Sequence, residues 1–207
     1  MNKILLLYPK SFKCYSKFFR KVEKIISKLD LVTILFLEDS NNFISRLSKE
    51  SMHIKEIKKL SNWSINNITH AIIFDDGEEF PEEVKQIESL NIPLRYIKIA
   101  ITRVVNIKNE IEYTSEKSTS TYEYIGRGSY WGNPYSIYEV EDLDKGETPR
   151  ENVIRKFKYD FEHDCLLNRD KNKVYELAGK RLGCFCKPEA CHGDVIADFL
   201  NSWDDEK

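Results

Sequence analysis

The chain predicts an α/β protein: a Rossmann-like parallel sheet flanked by helices over residues 1–108, then a small α+β domain over 123–207. Three observations predict it. Short continuous apolar runs alternate with amphipathic helical stretches through the first hundred residues, the pattern of a parallel sheet covered on both faces. Residues 109–122, which include "SEKSTST", break that alternation with a polar stretch that reads as a linker or hairpin. Beyond it, glycines and aromatics gather in one loop, and three of the five cysteines and one of the four histidines fall within residues 184–192. A length of 207 residues suits one large domain or two small ones.

Taken in order, "KILLLYP" reads as a buried strand. In the stretch that follows, Tyr15, Phe18, Phe19, Val22, Ile25, Ile26 and Leu29 recur every three to four residues, one face of a helix. "LVTILFLE" is strand-like again, and "NNFISRLSKES" is a short helix whose asparagines are suited to cap it. "THAIIFDDG" reads as strand then loop. "PEEVKQIESLN" is a helix with proline at its start and acids in its first turn. "IPLRYIKIAITRVVNI" returns to strand, and "TYEYI" opens the second domain as another. Thr148 with Glu151 three residues on forms a capping-box pattern, with Pro149 at the first helical position. Ile154, Phe157, Phe161 and Cys165 then share one face of that helix. "VYELAGKRLGCFC" runs from a short helix to a strand. "CHGDVIADFLNSW" closes the chain as a helix with Val195, Ile196, Phe199, Leu200 and Trp203 on its apolar side.

Bulk properties exclude some classes. A formal net charge of −2 gives no global footprint for nucleic acid, although a local basic patch would serve. No apolar run approaches membrane-span length, and the apolar start is too short for a signal peptide. A soluble, cytoplasmic protein with no membrane partner is expected. Clustered rather than dispersed cysteines, in an odd count, favour metal binding or reactivity over a disulfide framework in a reducing compartment.

Two constellations carry chemistry. In "RLGCFCKPEACHGD" a strand would aim Cys184 and Cys186 at one face and Phe185 at the other, and Lys187-Pro188 would turn the chain back. Cys191 and His192 would then stand at a helix N-terminus with Asp194 in its first turn. As a metal site, Cys184, Cys186, Cys191 and His192 suit zinc. The spacing is not a common zinc-ribbon pattern, adjacent Cys191 and His192 would strain to share one ion, and a ligand such as His163 would complete the set. As a catalytic site, Cys191 is the nucleophile, with His192 or Asp194 in proton transfer. Cys14 and Cys165, alone on helix faces, read as small core residues. In "YIGRGSYWGNPY", Arg127 offers a planar fork for phosphate or carboxylate, Trp131 a stacking face, and Asn133 a base-edge contact or a turn. An ordinary aromatic loop, with Trp131 as a core lid, is the bland alternative.

Together, "YIGRGSYWGNPY", "TPRENVIRKF" and "GKRLGCFCKPEACHGDVIADFL" resemble a phage and bacterial domain family without an assigned activity, over roughly residues 122–201. The resemblance implies that Arg127, Trp131, Gly132, Asn133, Pro134, Cys184, Cys186, Cys191, His192 and Asp194 hold signature positions. It also implies a bacterial cytoplasm, or a host cytoplasm for a phage-encoded chain. The first half is similar to Rossmann-like nucleotide-binding families of the lysine-decarboxylase-like and DNA-processing type. Their glycine-rich phosphate loop is missing here, and "DDGEEF" is acidic where they carry small residues. The expected function is an enzyme acting on a nucleotide, nucleobase or modified nucleic-acid base, by base or glycosyl transfer or by hydrolysis. The alternative is a zinc-stapled module that senses a nucleotide or binds a partner in phage–host conflict. Expected partners are a nucleotide or nucleobase, with nucleic acid left open.

Overall fold

A computed structural model of the protein describes residues 2–61, 67–108, 112–115, 118–140 and 142–206. The chain forms two compact units, one of residues 1–100 with 202–207 and one of residues 101–201.

The first unit is a parallel sheet of five strands. They are β1 (Asn2–Leu7), β2 (Val32–Phe36), β3 (Ile54–Lys59), β4 (His70–Asp75) and β5 (Leu94–Lys98), in spatial order β3-β2-β1-β4-β5. Every pairing in it is parallel. The helices are α1 (Tyr15–Ile26), α2 (Phe43–Glu50) and α3 (Pro81–Ser89). The architecture is thus the expected mixed α/β one, with a flanked parallel sheet. The central strands explain the continuous apolar runs: β2 is buried along its whole length and β1 over its last four residues. β3 reads IKEIKK, half-exposed at Ile54 and Ile57 and exposed between, as an edge strand should. That strand is absent from the sequence reading, because two isoleucines among lysines make a weak apolar signal.

The start of α2 departs from expectation. Asn42 precedes it in the left-handed region, with φ 58°, and makes no side-chain cap. Asp39 does the capping instead. Its carboxylate accepts from the backbone N–H groups of Ile44 and Ser45, each at 2.9 Å, and from the Tyr8 hydroxyl at 2.6 Å. These hydrogen bonds outweigh partial burial and hold the Asp39 carboxyl below its ordinary range.

The second unit holds a three-stranded sheet in the order β6-β8-β7, with both pairings parallel. Its strands are β6 (Arg103–Asn106), β7 (Tyr122–Tyr124) and β8 (Arg181–Cys184). Helices α4 (Pro149–Glu162) and α5 (His192–Ser202) and a 3₁₀ helix over Lys171–Leu177 complete it. "IPLRYIKIAITRVVNI" is therefore not one strand. β5 belongs to the first sheet and β6 to the second, and the two compact units divide at 100/101. Part of the expected 109–122 linker lies outside the described residues; β7 begins at its last position. The entry to β6 is tied to the end of α5 by a buried pair of bonds: Thr102 N–H donates to Asn201 Oδ1 at 2.8 Å, and Asn201 Nδ2 donates to Thr102 O at 3.0 Å.

The core of this unit gathers Ile125, Trp131, Phe157, Phe161, Leu182 and Ile196, among others. Helix α4 starts at the expected capping box. Thr148 Oγ1 accepts from Glu151 N–H at 3.3 Å, and the Glu151 carboxylate accepts from Thr148 N–H at 2.8 Å. Removing the hydroxyl should cost about 1 kcal/mol. Thr148→Ala is accordingly expected to lower the denaturation midpoint modestly, and an unchanged midpoint would show that the cap is idle. The bond from Thr148 N–H, with that from its hydroxyl, lowers the Glu151 pKa. The cap's contribution is therefore complete above the ordinary glutamate range and is lost as pH falls through the lowered value.

Candidate metal centre and ligand cavity

Local chain geometry assembles the cysteine cluster. Cys184 is the last residue of β8, and Cys186 follows two positions on with its sulfur on the same side; the two Sγ atoms are 3.4 Å apart. Phe185 points away and is 48% exposed. Glu189 N–H donates to Cys186 O at 3.0 Å, which turns the chain, and the Asn106 side-chain amide donates to Lys187 O. The turn delivers Cys191 just before α5, with His192 as the first residue of that helix. The helix start sits tight against the sheet. A Cβ on Gly193 would meet Ile125 Cδ1 at 2.4 Å and Val104 Cγ2 at 3.0 Å, so a larger residue there would push those side chains aside.

Cys184, Cys191 and His192 are all buried, and their ligand atoms lie within 4.8 Å of one another. Cys191 Sγ and His192 Nδ1, on neighbouring residues, are 3.6 Å apart. A tetrahedron with Zn–S of about 2.3 Å and Zn–N of about 2.0 Å has edges of roughly 3.5–3.8 Å. The 3.6 Å separation falls within that range, whereas the sulfurs of Cys184 and Cys186, 3.4 Å apart, stand closer than two sulfurs on one zinc. The tautomer fits such a set. His192 Nε2 lies 2.9 Å from Ile125 O, and a carbonyl can only accept, so Nε2 carries the hydrogen. Nδ1 is left as a lone pair facing the sulfurs, with the backbone carbonyl orienting the ring as an outer-shell partner does. Burial pushes the His192 pKa down, which keeps the imidazole neutral.

The thiols share charge unequally. Hydrogen bonds from Cys184 and Cys191, with a further one from Arg150, hold Cys186 far below the usual thiol range. The hydrogen bond to Cys186 raises Cys184, and those to Cys184 and Cys186 raise Cys191. The thiol whose pKa is lowered is the half-buried one, Cys186, while Cys191, whose pKa is raised, is 1% exposed. Asp194 is engaged in building the helix start. One carboxylate oxygen accepts from Cys191 N–H at 2.9 Å and the other pairs with Lys187 Nζ at 2.6 Å. His163 is not in the cluster; it ends α4, stacked on Tyr159 with ring centroids 4.2 Å apart. Cys14 is buried, as expected of a core cysteine. Cys165 is exposed, because α4 ends at Glu162 before its apolar face reaches that position.

A cavity of about 310 Å³ opens beside the sulfurs. Its lining includes Cys184, Cys186, Cys191 and His192 together with Arg127, Asn133, Tyr138 and Arg150. Two of the three loop residues singled out from sequence are therefore here. Arg127 is exposed, with one long contact of 3.5 Å to Tyr135 O. Asn133 holds the loop: Oδ1 accepts from Tyr135 N–H at 2.9 Å, and Nδ2 donates to Val153 O at 3.0 Å. Trp131 is elsewhere. It is 4% exposed in the core of the unit, where no ligand base could stack on it. The loop closes so tightly that a Cβ on Gly132 would meet Gly126 O at 2.4 Å, and this closure turns Trp131 inward.

Sequence reasoning missed Arg150 and Tyr138. Arg150 is the second residue of α4, and its guanidinium donates to Ala190 O at 3.2 Å. Its place in "TPREN" marked it only as part of a helix start. Tyr138 is 89% exposed, a value no local pattern discloses.

Comparison with known proteins adds three findings. A family model described as the minimal SLOG domain matches residues 1–105. A model for a domain of unknown function, DUF4326, matches residues 106–202, the stretch that holds the cavity and the cluster. An uncharacterized 12.4 kDa protein in the nrdA-td intergenic region of Enterobacteria phage T4 is 41% identical over 78 residues, covering 37% of this chain and 65% of that protein. No solved structure matches. Among the described residues no helix is long and apolar enough to cross a membrane.

Proposed function

The chain belongs, through its first 105 residues, to the minimal SLOG domain family, and from that premise we propose that it is a zinc-dependent enzyme acting on a nucleotide or nucleobase. SLOG domains are generally nucleotide-related and occur in phage and conflict systems. The observation that carries the reading is one cavity lined at once by Cys184, Cys186, Cys191, His192, Arg127 and Arg150. Zinc in a thiolate-imidazole site supplies an electrophile, and a bound water of lowered pKa when one position is open. Cys184, Cys191 and His192 are the deep donors. Cys186, on the cavity side, is the donor that closes the fourth position or yields it. Arg127 and Arg150 hold a phosphate beside that wall. Asp194 fixes the start of α5 and so positions Cys191 and His192. The reaction class is base or glycosyl transfer, or hydrolysis at a base.

A second reading has its own support. Three thiols and one imidazole are the donor set of a closed structural site. On that reading the metal staples a nucleotide-sensing or partner-binding module. Turnover separates the two. Zinc-replete protein would be assayed against nucleotides, nucleosides and DNA carrying modified bases. The enzyme reading expects product formation that stops when zinc is stripped and returns when it is restored. A zinc-replete, folded protein that converts none of these substrates would leave the staple reading standing instead.

A further inference from the structure

The cavity has features that the zinc chemistry does not use. Arg127 and Arg150 face it from different segments, the loop after β7 and the start of α4, and no carboxylate is among its described lining residues. Among the described residues neither arginine forms an ion pair with a carboxylate. Arg150 is half-buried and anchored, by its bond to Ala190 O and by its reach to Cys186, so its fork is preorganised. At the rim stand Tyr138 and Ile137, 89% and 37% exposed. The ring of Tyr138 makes no ring–ring contact among the described residues, unlike Trp131, whose ring lies in the core beside Tyr130. An uncovered aromatic face next to two guanidiniums that lack a carboxylate partner among the described residues suits a ligand with a flat, apolar part joined to an anion.

Size narrows the class. Small-molecule cavities run from about 300 to 1,000 Å³, and 310 Å³ lies at the bottom of that range. A dinucleotide cofactor or several stacked bases would overfill it. Resting on the nucleotide-directed reading above, we propose that the cavity takes a single nucleoside monophosphate, its phosphate between Arg127 and Arg150 and its base on Tyr138. The stacking face anticipated at Trp131 is thereby supplied by Tyr138, seven residues further along the loop.

The test is a set of calorimetric titrations of the zinc-loaded full chain. The probes are the four common ribonucleoside 5′-monophosphates, ribose 5-phosphate, inorganic phosphate and a twelve-nucleotide single strand. At least one monophosphate is expected to bind roughly tenfold tighter than ribose 5-phosphate, the scale of one base–aromatic stack. Tyr138→Ala is expected to erase that preference while leaving ribose 5-phosphate affinity unchanged, and Tyr138→Phe to keep it. Arg150→Met is expected to weaken every phosphate probe by roughly tenfold, and Arg150→Lys to restore only part of the loss because the planar fork is missing. Equal affinity for monophosphate and ribose 5-phosphate in the wild type would overturn the proposal. So would a preference that survives Tyr138→Ala, and so would a strand that binds tighter than any monophosphate. Zinc content and turnover are read on the same samples. A protein that holds zinc and turns over substrate without base preference sinks only this inference. One that prefers monophosphates yet shows no turnover sinks only the enzyme reading.

Discussion

Replacing Cys184 with serine is expected to strip the metal from the second unit and to unfold that unit, while the first unit keeps its own melting transition. Cys184 is 4% exposed at the end of β8, and its sulfur faces both Cys186 and the pair formed by Cys191 and His192. Apparent zinc-binding energies in such sites are about 10–16 kcal/mol. Whole domains are stable by only about 5–15 kcal/mol. Losing the ion therefore removes an amount comparable to the entire stability of the unit. The strands of this unit are short, three residues in β7 and four each in β6 and β8, so the sheet alone offers little to fall back on. A chelator should reproduce the mutant in the wild type, and elemental analysis should find about one zinc per chain that the mutant lacks. Cys165→Ser, at an exposed cysteine outside the cluster, is the control and should leave zinc content and melting unchanged. A wild-type protein that holds no zinc after zinc is supplied, and melts identically with chelator, would remove the metal centre.

Phe157→Ala is expected to cost about 3–5 kcal/mol, the usual penalty for emptying a buried aromatic site. The ring is fully buried and stacks with Phe161 at 6.1 Å between centroids. It also meets the His192 ring edge-on at 4.9 Å. That contact gives the substitution a second consequence. His192 is held on one side by Ile125 O and on another by Phe157, and without the ring its Nδ1 is less firmly aimed at the sulfurs. Zinc affinity, measured by competition with a chromogenic chelator, should fall along with stability, and Phe157→Leu should recover most of both. A stability loss with zinc affinity untouched would show that Ile125 O alone fixes the imidazole.

Much of this protein was readable locally. β1, β2 and β4 announce themselves as apolar runs because a strand buried on both faces has no polar side. The start of α4 is written in four residues, Thr148 to Glu151, because a capping box is closed by bonds within one turn. The donor set is also local: Cys184, Cys186, Cys191 and His192 are brought together by one strand end, one turn and one helix start. Whether Cys191 and His192 can approach one point is a local question too: their donor atoms lie 3.6 Å apart.

What the sequence by itself determined is the α/β alternation, the capping box at Thr148, the proline-led start of α3 at Pro81, and the clustering of three cysteines and a histidine. Each of these depends on contacts a few residues long. Only the tertiary structure decided that the stretch from Leu94 to Asn106 serves two different sheets, since a strand's partner is chosen by hydrogen bonds to distant segments. Only it decided that Trp131 is core and Tyr138 is surface, two aromatics of one loop with the same local character. Arg150 likewise became a cavity residue only when α4 was set beside the turn that carries Ala190. Burial and facing are properties of the whole packed unit, and a pattern read along one strand or helix does not contain them.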